Sequence, residues 1–317
     1  MNFPVAAAIW AVIVVIGSVL GASRGHSGPR FLLALGIGAG LLAFELFLAA
    51  PPVLKRAREW LGRHGVILAA LVPLFAALVY SFGVAGNLKW TLAGAAYAIV
   101  PSLLLATCAG KSGATAQDYL AALIIWLPVE FRWMYGLFPY PPELKHTLTI
   151  LLALGTGIAA FVLVRRFDGL GYTFEWRRGF GWAILFNLAA FGVIGVPLGI
   201  KLGFLSYDPS RARFNTLPLS ALGIFFFTAW PEEFLFRGVL QNLFSKTFKN
   251  QWAGLALASV IFGLSHILHA PYPNWKYVIL ATIAGIFYGH AWMKTGSLFP
   301  STIVHALVDI SWHVLFR

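Results

Sequence analysis

Ten ionisable side chains lie within or beside long apolar runs of this chain. Five of the eleven acidic residues do so: Glu45, Glu130, Glu232, Glu233 and Asp309. Five of the eight histidines cluster near the end of the sequence: His266, His269, His290, His305 and His313. Charged groups are costly at membrane depth, so each is a candidate functional residue.

The segment Trp230-Pro231-Glu232-Glu233-Phe-Leu-Phe-Arg237 is the richest of these elements. Glu233 and Arg237 have i, i+4 spacing with the acid first, which predicts an intrahelical ion pair. Glu232 points about 100° away and has no cation near it in sequence, so it could act as a general base in a dry site. Pro231 predicts a break, with a new helical turn that places both glutamates at its positive end.

Two further elements follow in order on separate apolar runs. In Phe262-Gly-Leu-Ser-His266, the aromatic ring and the imidazole are expected on one helix face. In His305-Ala-Leu-Val-Asp309, the same spacing lets the carboxylate orient the histidine ring. A single histidine in an apolar helix is more often a core residue than a catalyst, but three ordered elements favour a reaction site.

The other buried acids have simpler interpretations. Glu45 is expected near a helix end or hydrogen-bonded to a neighbour. Glu130 and Arg132 are two residues apart and face different sides of a helix, so they are expected to pair with other helices. A supporting role at the reaction site is the alternative for this pair. Cys108 is the only cysteine, which excludes an internal disulfide.

The composition indicates what must position these side chains. Hydrophobic residues make up 59% of the 317 residues and charged residues only 11%, against about 25% charged in soluble domains. We therefore predict an all-α, polytopic membrane bundle with roughly eleven spanning helices. The predicted spans are 3–22, 31–50, 66–86, 90–108, 119–138, 147–164, 182–200, 217–241, 252–269, 275–293 and 298–316.

The net charge of +12 comes from Lys and Arg in short loops between the apolar runs. Such clusters are typical of loops next to anionic lipid, so we exclude nucleic acid as a partner. The loop bias favours a cytoplasmic N-terminus, and we expect the run 3–22 to stay as a membrane helix rather than act as a signal peptide.

The three elements together resemble the motif set of the CPBP family (CAAX protease and bacteriocin-processing intramembrane proteases, also called the Abi family). The matching patterns are Glu232-Glu233-x-x-x-Arg237, Phe262-x-x-x-His266 and His305-x-x-x-Asp309. The resemblance covers residues 215–317 and implies a protease domain there, preceded by a membrane region of unknown role at 1–214. It also implies that Glu233 and Arg237 hold the site together.

The same resemblance implies an intramembrane endopeptidase in which Glu232 and His266 activate water. His305 and the residue at position 309 would then stabilise the oxyanion of the tetrahedral intermediate. The family often has Asn at this last position, whereas this chain has Asp309. An ionised carboxylate repels an oxyanion, so Asp309 is expected to be protonated, to orient His305 or to bind a positive group.

We favour water activation without a cofactor. The alternative is a zinc ion held by Glu232, His266, His305 and Asp309, all of which are ligand types for this metal. The expected partners are membrane lipid and a peptide or protein substrate at the membrane. The expected location is the plasma membrane of a prokaryote, and the sequence does not predict an oligomeric state.

Two other functions stay open from the sequence. One is a non-enzymatic immunity or chaperone-like membrane protein on the same scaffold. The other is a proton-coupled transporter, because intramembrane Glu and His can relay protons. The echo between residues 128–132 and 231–237 is too short to establish the internal repeat that transporters often have.

Overall fold

The computed structural model describes residues 3–62, 65–211 and 216–316. These residues form α-helices joined by short turns, with one isolated β-bridge between Tyr207 and Phe316 and no strand. The α-helices are α1 (Phe3–Ser23), α2 (Gly28–Leu48), α3 (Pro51–Leu61), α4 (Gly65–Tyr80), α5 (Leu88–Ala106), α6 (Ala116–Glu130), α7 (Lys145–Gly157), α8 (Phe180–Lys201), α9 (Leu217–Ile224), α10 (Trp230–Glu233), α11 (Asn242–Phe248), α12 (Gln251–Leu264), α13 (Trp275–Thr295) and α14 (Leu298–Leu315).

Seven helices of the described part are long and apolar enough to cross a membrane. Each of the eleven predicted spans contains a helix, so the polytopic all-α membrane fold is confirmed. α3 was not predicted as a helix. It is short and carries Lys55, Arg56, Arg58 and Glu59 on half-buried or exposed positions, which separates it from the apolar spans.

Two predicted spans end early. The span predicted at 252–269 ends at Leu264, and two prolines at 271 and 273 follow closely, which a helix cannot readily accommodate. The span predicted at 119–138 ends at Glu130, because Arg132 adopts a left-handed conformation with φ 57°. His266 and His269 therefore lie in the turn after α12 rather than within a membrane helix.

The helix that carries the double glutamate is continuous from Leu217 to Phe248. The predicted break at Pro231 is wrong, since Ala229 and Trp230 before the proline and Glu233 and Phe234 after it all keep right-handed helical dihedrals. Wider π-helical segments, Phe225–Ala229 and Phe234–Gln241, flank α10. Such π-turns accommodate a missing backbone donor. Glu232 and Glu233 consequently lie in mid-helix and not at a positive helix end.

The described chain forms two compact units, 1–168 and 169–317. The first unit contains a buried ion pair, in which Arg165 Nε lies 2.8 Å from Asp118 Oδ1. Arg165 also donates to the carbonyls of Lys111 and Gly113 at 2.9 and 2.8 Å. This network compensates both buried charges and connects the start of α6 to the end of the π-helix Ile158–Val164, which extends α7.

The second unit holds all three motif elements. It begins at Gly169, so α8 packs with α13 and α14 in the same unit as the predicted protease region. The division at 214/215 stays a prediction about function. Side-chain caps start the helices that carry the site: Asn250 accepts from the N-terminal amides of α12, Asn274 from those of α13 and Ser297 from those of α14.

Glycines permit the close packing of α12 on α13, and Gly263 makes the closest of these approaches. A Cβ atom at Gly263 would lie 2.6 Å from the Val278 carbonyl oxygen and closer still to the Thr282 hydroxyl. Only glycine permits this approach. The contact fixes the position of Phe262, the neighbouring residue, and of the turn that carries His266.

Candidate active site

Glu233 is the centre of a buried polar cluster. Its Oε1 lies 2.8 Å from Nδ1 of His305, and its Oε2 lies 3.2 Å from Nε of Arg237. The Ser301 hydroxyl also contacts Glu233 and lies 2.8 Å from the carbonyl of Tyr288. The side chains of Glu233 and Arg237 are both 0% exposed. The predicted i, i+4 ion pair is confirmed, and the contacts of Glu233 with His305 and Ser301 join α10 to α14.

Aromatic rings enclose the guanidinium group of Arg237. Its Cζ lies 4.5 Å from the ring centre of Phe262 and 5.5 Å from that of Tyr288. Within the described ranges, Glu233 is the only carboxylate at ion-pair distance from Arg237. Among the described residues, one carboxylate and the faces of aromatic rings therefore compensate the positive charge.

His305 connects this cluster to the two more exposed acids. Its Nε2 lies 3.5 Å from Oδ2 of Asp309 and 3.8 Å from Oε2 of Glu232. Tyr288 stacks on the imidazole at 4.4 Å between ring centres and 15° between planes. Nδ1 is committed to Glu233, whereas the distances at Nε2 are longer than those of ordinary hydrogen bonds. Because Nδ1 already donates to Glu233, Nε2 carries an N–H only when the ring is protonated, and in that form Nε2–H is free to donate to another oxygen atom.

Exposure separates the acids into two kinds. The side chain of Glu232 is 32% exposed and that of Asp309 is 21% exposed, whereas that of Glu233 is 0% exposed. Oε2 of Glu232 is buried and has no hydrogen-bond partner among the described residues. Glu232 and Asp309 therefore reach the surface of the second unit, and Glu232 also has a buried oxygen, Oε2, that no described protein donor occupies.

His266 lies next to this cluster, across the ring of Phe262. The ring centre of Phe262 is 4.9 Å from that of His266 and 5.6 Å from that of His305. Nδ1 of His266 lies 2.8 Å from the Phe262 carbonyl oxygen and can only donate there. This contact assigns the proton of the neutral ring to Nδ1 and leaves a lone pair on Nε2. The rings of Phe262 and His266 lie against each other, as expected from their spacing, although His266 follows the end of α12.

Three residues of the cluster were not identified from the sequence. The sequence pattern could have identified Ser301, because Ser301 and His305 have the same i, i+4 spacing as His305 and Asp309. Tyr288 and Tyr277 have no such signal, since they reach the site from α13 only through tertiary packing. Tyr277 lies against His266, with ring centres 4.4 Å apart.

The remaining candidate residues have local partners. His290 meets Oδ1 of Asn187 through Nδ1 at 2.8 Å. Glu130 lies in the first unit and accepts from Trp126 Nε1 at 3.0 Å, so its partner is in its own helix rather than the predicted other helices. Glu45 is fully buried in the first unit, close to Gly155. These contacts agree with structural roles.

The proposed zinc ligands do not converge on one point. Zinc requires its donors about 2.0–2.3 Å from the ion. In the described part of the chain, no group of three or more His, Cys, Asp or Glu side chains is arranged to hold a metal ion. Nδ1 of His305 contacts Glu233 and Nδ1 of His266 contacts a carbonyl, so Nε2 is the nitrogen of each ring that is open to a ligand. The zinc alternative stays an untested prediction, and no step below depends on it.

Comparison with known proteins gives one match. A family model described as type II CAAX prenyl endopeptidase Rce1-like matches residues 214–311. No curated protein and no solved structure matches the chain. The matched region contains all six predicted site residues and begins close to the expected boundary at 214/215. Residues 214–311 of this integral membrane protein are thus similar to the CAAX prenyl endopeptidases, which confirms the resemblance carried by the motifs.

Proposed function

We propose that this protein is an intramembrane endopeptidase that hydrolyses a peptide bond with water activated by Glu232 and His266. The observation that carries the proposal is the contrast between Glu232 and Glu233. Glu233 is fully buried and committed to His305 and Arg237, whereas Glu232 is partly exposed and has an oxygen without a protein partner. One acid is suited to hold the site and the other to act on water.

In the proposed reaction, Glu232 accepts a proton from a water molecule while the oxygen of that water bonds to the carbonyl carbon of the scissile bond. The lone pair on Nε2 of His266 holds this water from the opposite side. The proton then passes from Glu232 to the leaving amine as the carbon–nitrogen bond breaks. Glu232 is thereby returned to its ionised form, and the substrate forms no covalent bond to the protein.

His305 is proposed to stabilise the oxyanion. Its Nδ1 is anchored to Glu233 at 2.8 Å, so the ring is fixed while Nε2 faces the space between Glu232 and Asp309. A fixed donor of this kind costs little reorganisation when negative charge develops. Asp309, at 3.5 Å from Nε2, is proposed to hold the proton-bearing form of the ring rather than to contact the oxyanion.

The match to CAAX prenyl endopeptidases favours a substrate with a prenylated C-terminal peptide. The host membrane is proposed to be the plasma membrane of a prokaryote. A partly exposed acid beside apolar helices suits a peptide that a lipid chain holds at the membrane, because the lipid would remain in the bilayer while the peptide enters the site.

The test uses purified protein in liposomes and two fluorogenic peptides that end in Cys-aliphatic-aliphatic-X, one prenylated and one not. We expect cleavage of the prenylated peptide after the modified cysteine, with products identified by mass spectrometry. Glu232→Ala and His266→Ala should abolish cleavage, while Glu175→Gln, at an exposed acid, should not. Full cleavage by both site variants would rule out the mechanism.

A further variant, Glu232→Gln, separates the other functions. A non-enzymatic immunity or chaperone role predicts that a cellular phenotype survives Glu232→Gln. A proton-coupled transporter predicts substrate uptake into liposomes that depends on a proton gradient and is lost in this variant. Peptide cleavage without gradient-dependent uptake favours the endopeptidase.

A further inference from the structure

The candidate site holds many acceptors and few donors. Glu232, Glu233 and Asp309 can only accept when ionised, and the Nδ1–H of His266 is already used by the Phe262 carbonyl. His305 Nε2 therefore offers one donor to a developing oxyanion. Sites that stabilise tetrahedral intermediates usually combine two or more donors.

Tyr277 is placed beside this space from the first turn of α13. Its ring lies 4.4 Å from that of His266 and 5.4 Å from that of Trp312, measured between centres. Phe204 packs against it at 5.2 Å. Its backbone amide donates to the side-chain oxygen of Asn274 at 3.1 Å, which fixes the start of the helix. Four contacts thus determine the position of one phenol ring.

The hydroxyl group of Tyr277 has no assigned role in the fold. It makes no hydrogen bond within the part of the chain that the structure describes, and the residue is half-buried. The Tyr277 ring packs on that of His266, and the charges of Asp309 and Glu232 act on the phenol. The phenolic O–H is therefore an available hydrogen-bond donor on a ring that packs against His266.

We propose that Tyr277 is a second oxyanion donor, a catalytic residue whose O–H contacts the carbonyl oxygen of the scissile bond. The inference rests on the proposed endopeptidase function. Tyr277 keeps its proton throughout: water adds to the carbonyl carbon, its proton moves through Glu232 to the leaving amine, and the phenol only donates a hydrogen bond. It would supply the donor that the carboxylate of Asp309 cannot supply when ionised.

The decisive experiment is a double-mutant cycle in liposomes with the prenylated fluorogenic peptide. Tyr277→Phe keeps the ring contacts and removes only the hydroxyl group. We expect kcat to fall by about 10²-fold with KM unchanged, because the donor acts in the transition state. Tyr272→Phe, at a tyrosine that is 71% exposed, is the matched control and should retain wild-type kcat.

Asp309→Asn introduces an amide donor at the neighbouring position. If both groups serve the same oxyanion, the loss caused by Tyr277→Phe should shrink to less than about tenfold in the Asp309→Asn background. An equal loss in both backgrounds, a change confined to KM or a wild-type kcat in Tyr277→Phe would each overturn the inference. Glu232→Gln, measured in parallel, must lose activity in every outcome if the endopeptidase proposal holds.

Should Tyr277→Phe not give folded protein, site-specific 3-fluorotyrosine at position 277 retains the ring and the hydroxyl group. A fluorinated phenol is a stronger hydrogen-bond donor, so kcat should differ from the wild-type value while KM stays unchanged. An unchanged kcat would contradict a donor role. A wild-type protein that cleaves neither peptide refutes the endopeptidase proposal itself, and this inference with it.

Discussion

The buried ion pair of Glu233 and Arg237 should respond asymmetrically to substitution. Glu233→Gln retains an acceptor for Nδ1 of His305 but leaves Arg237 without its only carboxylate partner among the described residues. Removing one partner of a buried pair typically costs about 3–5 kcal/mol, because the remaining charge is uncompensated. We therefore expect Glu233→Gln to lower the free energy of unfolding by about 3–5 kcal/mol.

Arg237→Met should lower the free energy of unfolding by less than Glu233→Gln does. The carboxylate of Glu233 keeps its contacts to His305 and Ser301, so its charge stays partly compensated. The loss consists of the ion pair and the contacts over Phe262 and Tyr288, and we expect about 1–3 kcal/mol. The double variant Glu233→Gln with Arg237→Met contains no buried charge from the pair and should be more stable than Glu233→Gln alone.

The assay is unfolding in mixed detergent micelles, followed by a thiol-reactive dye. Cys108 lies in the first unit, so it is replaced by Ala, and Ala258→Cys places the single thiol in α12 of the second unit, at a position 1% exposed. The reasoning is refuted if Glu233→Gln costs no more than Arg237→Met, or if the losses of the two single variants add in the double variant.

Three further outcomes are expected. Gly263→Ala should destabilise the second unit by about 1–3 kcal/mol, because its Cβ would meet the Val278 carbonyl and the Thr282 hydroxyl. Gly36→Ala, which has open space around it, should not destabilise the protein, and equal melting temperatures of the two variants would contradict this packing argument. Asp118→Asn should lower the free energy of unfolding of the first unit by about 3–5 kcal/mol, because it leaves the buried charge of Arg165 without its carboxylate. Glu59→Gln, in an exposed pair, should lower it by less than about 1 kcal/mol, and similar losses in the two variants would show that burial does not strengthen the pair. Peptide cleavage should persist after treatment with EDTA and 1,10-phenanthroline, and a loss that added zinc restores would favour the metal alternative.

The sequence predicted those parts of the site that lie within single helices. The pairs Glu233–Arg237 and His305–Asp309 follow from i, i+4 spacing, and both have their charged atoms within 3.5 Å. Contacts between helices could not be predicted this way. The bond from His305 to Glu233 and the approach of Tyr277 to His266 depend on how α13 and α14 pack, for which no spacing rule exists.

The errors in the fold also have physical causes. Pro231 does not break its helix, because π-turns on both sides accommodate the proline, and hydropathy gives no signal for a π-turn. The span at 252–269 was predicted too long because Ile267 and Leu268 are apolar, although the helix ends at Leu264 ahead of two prolines. Apolar composition locates a span, but local backbone restraints determine where it ends.

The central claim is that Glu232, and not its neighbour Glu233, activates water. The most direct measurement is the ratio of kcat/KM for Glu232→Gln to that of the wild-type protein, in liposomes with the prenylated peptide and with the fold verified by dye reactivity. Loss of a general base should lower the ratio by about 10²-fold or more while unfolding stays close to that of the wild-type protein. A folded Glu232→Gln variant with wild-type kcat/KM would contradict the account.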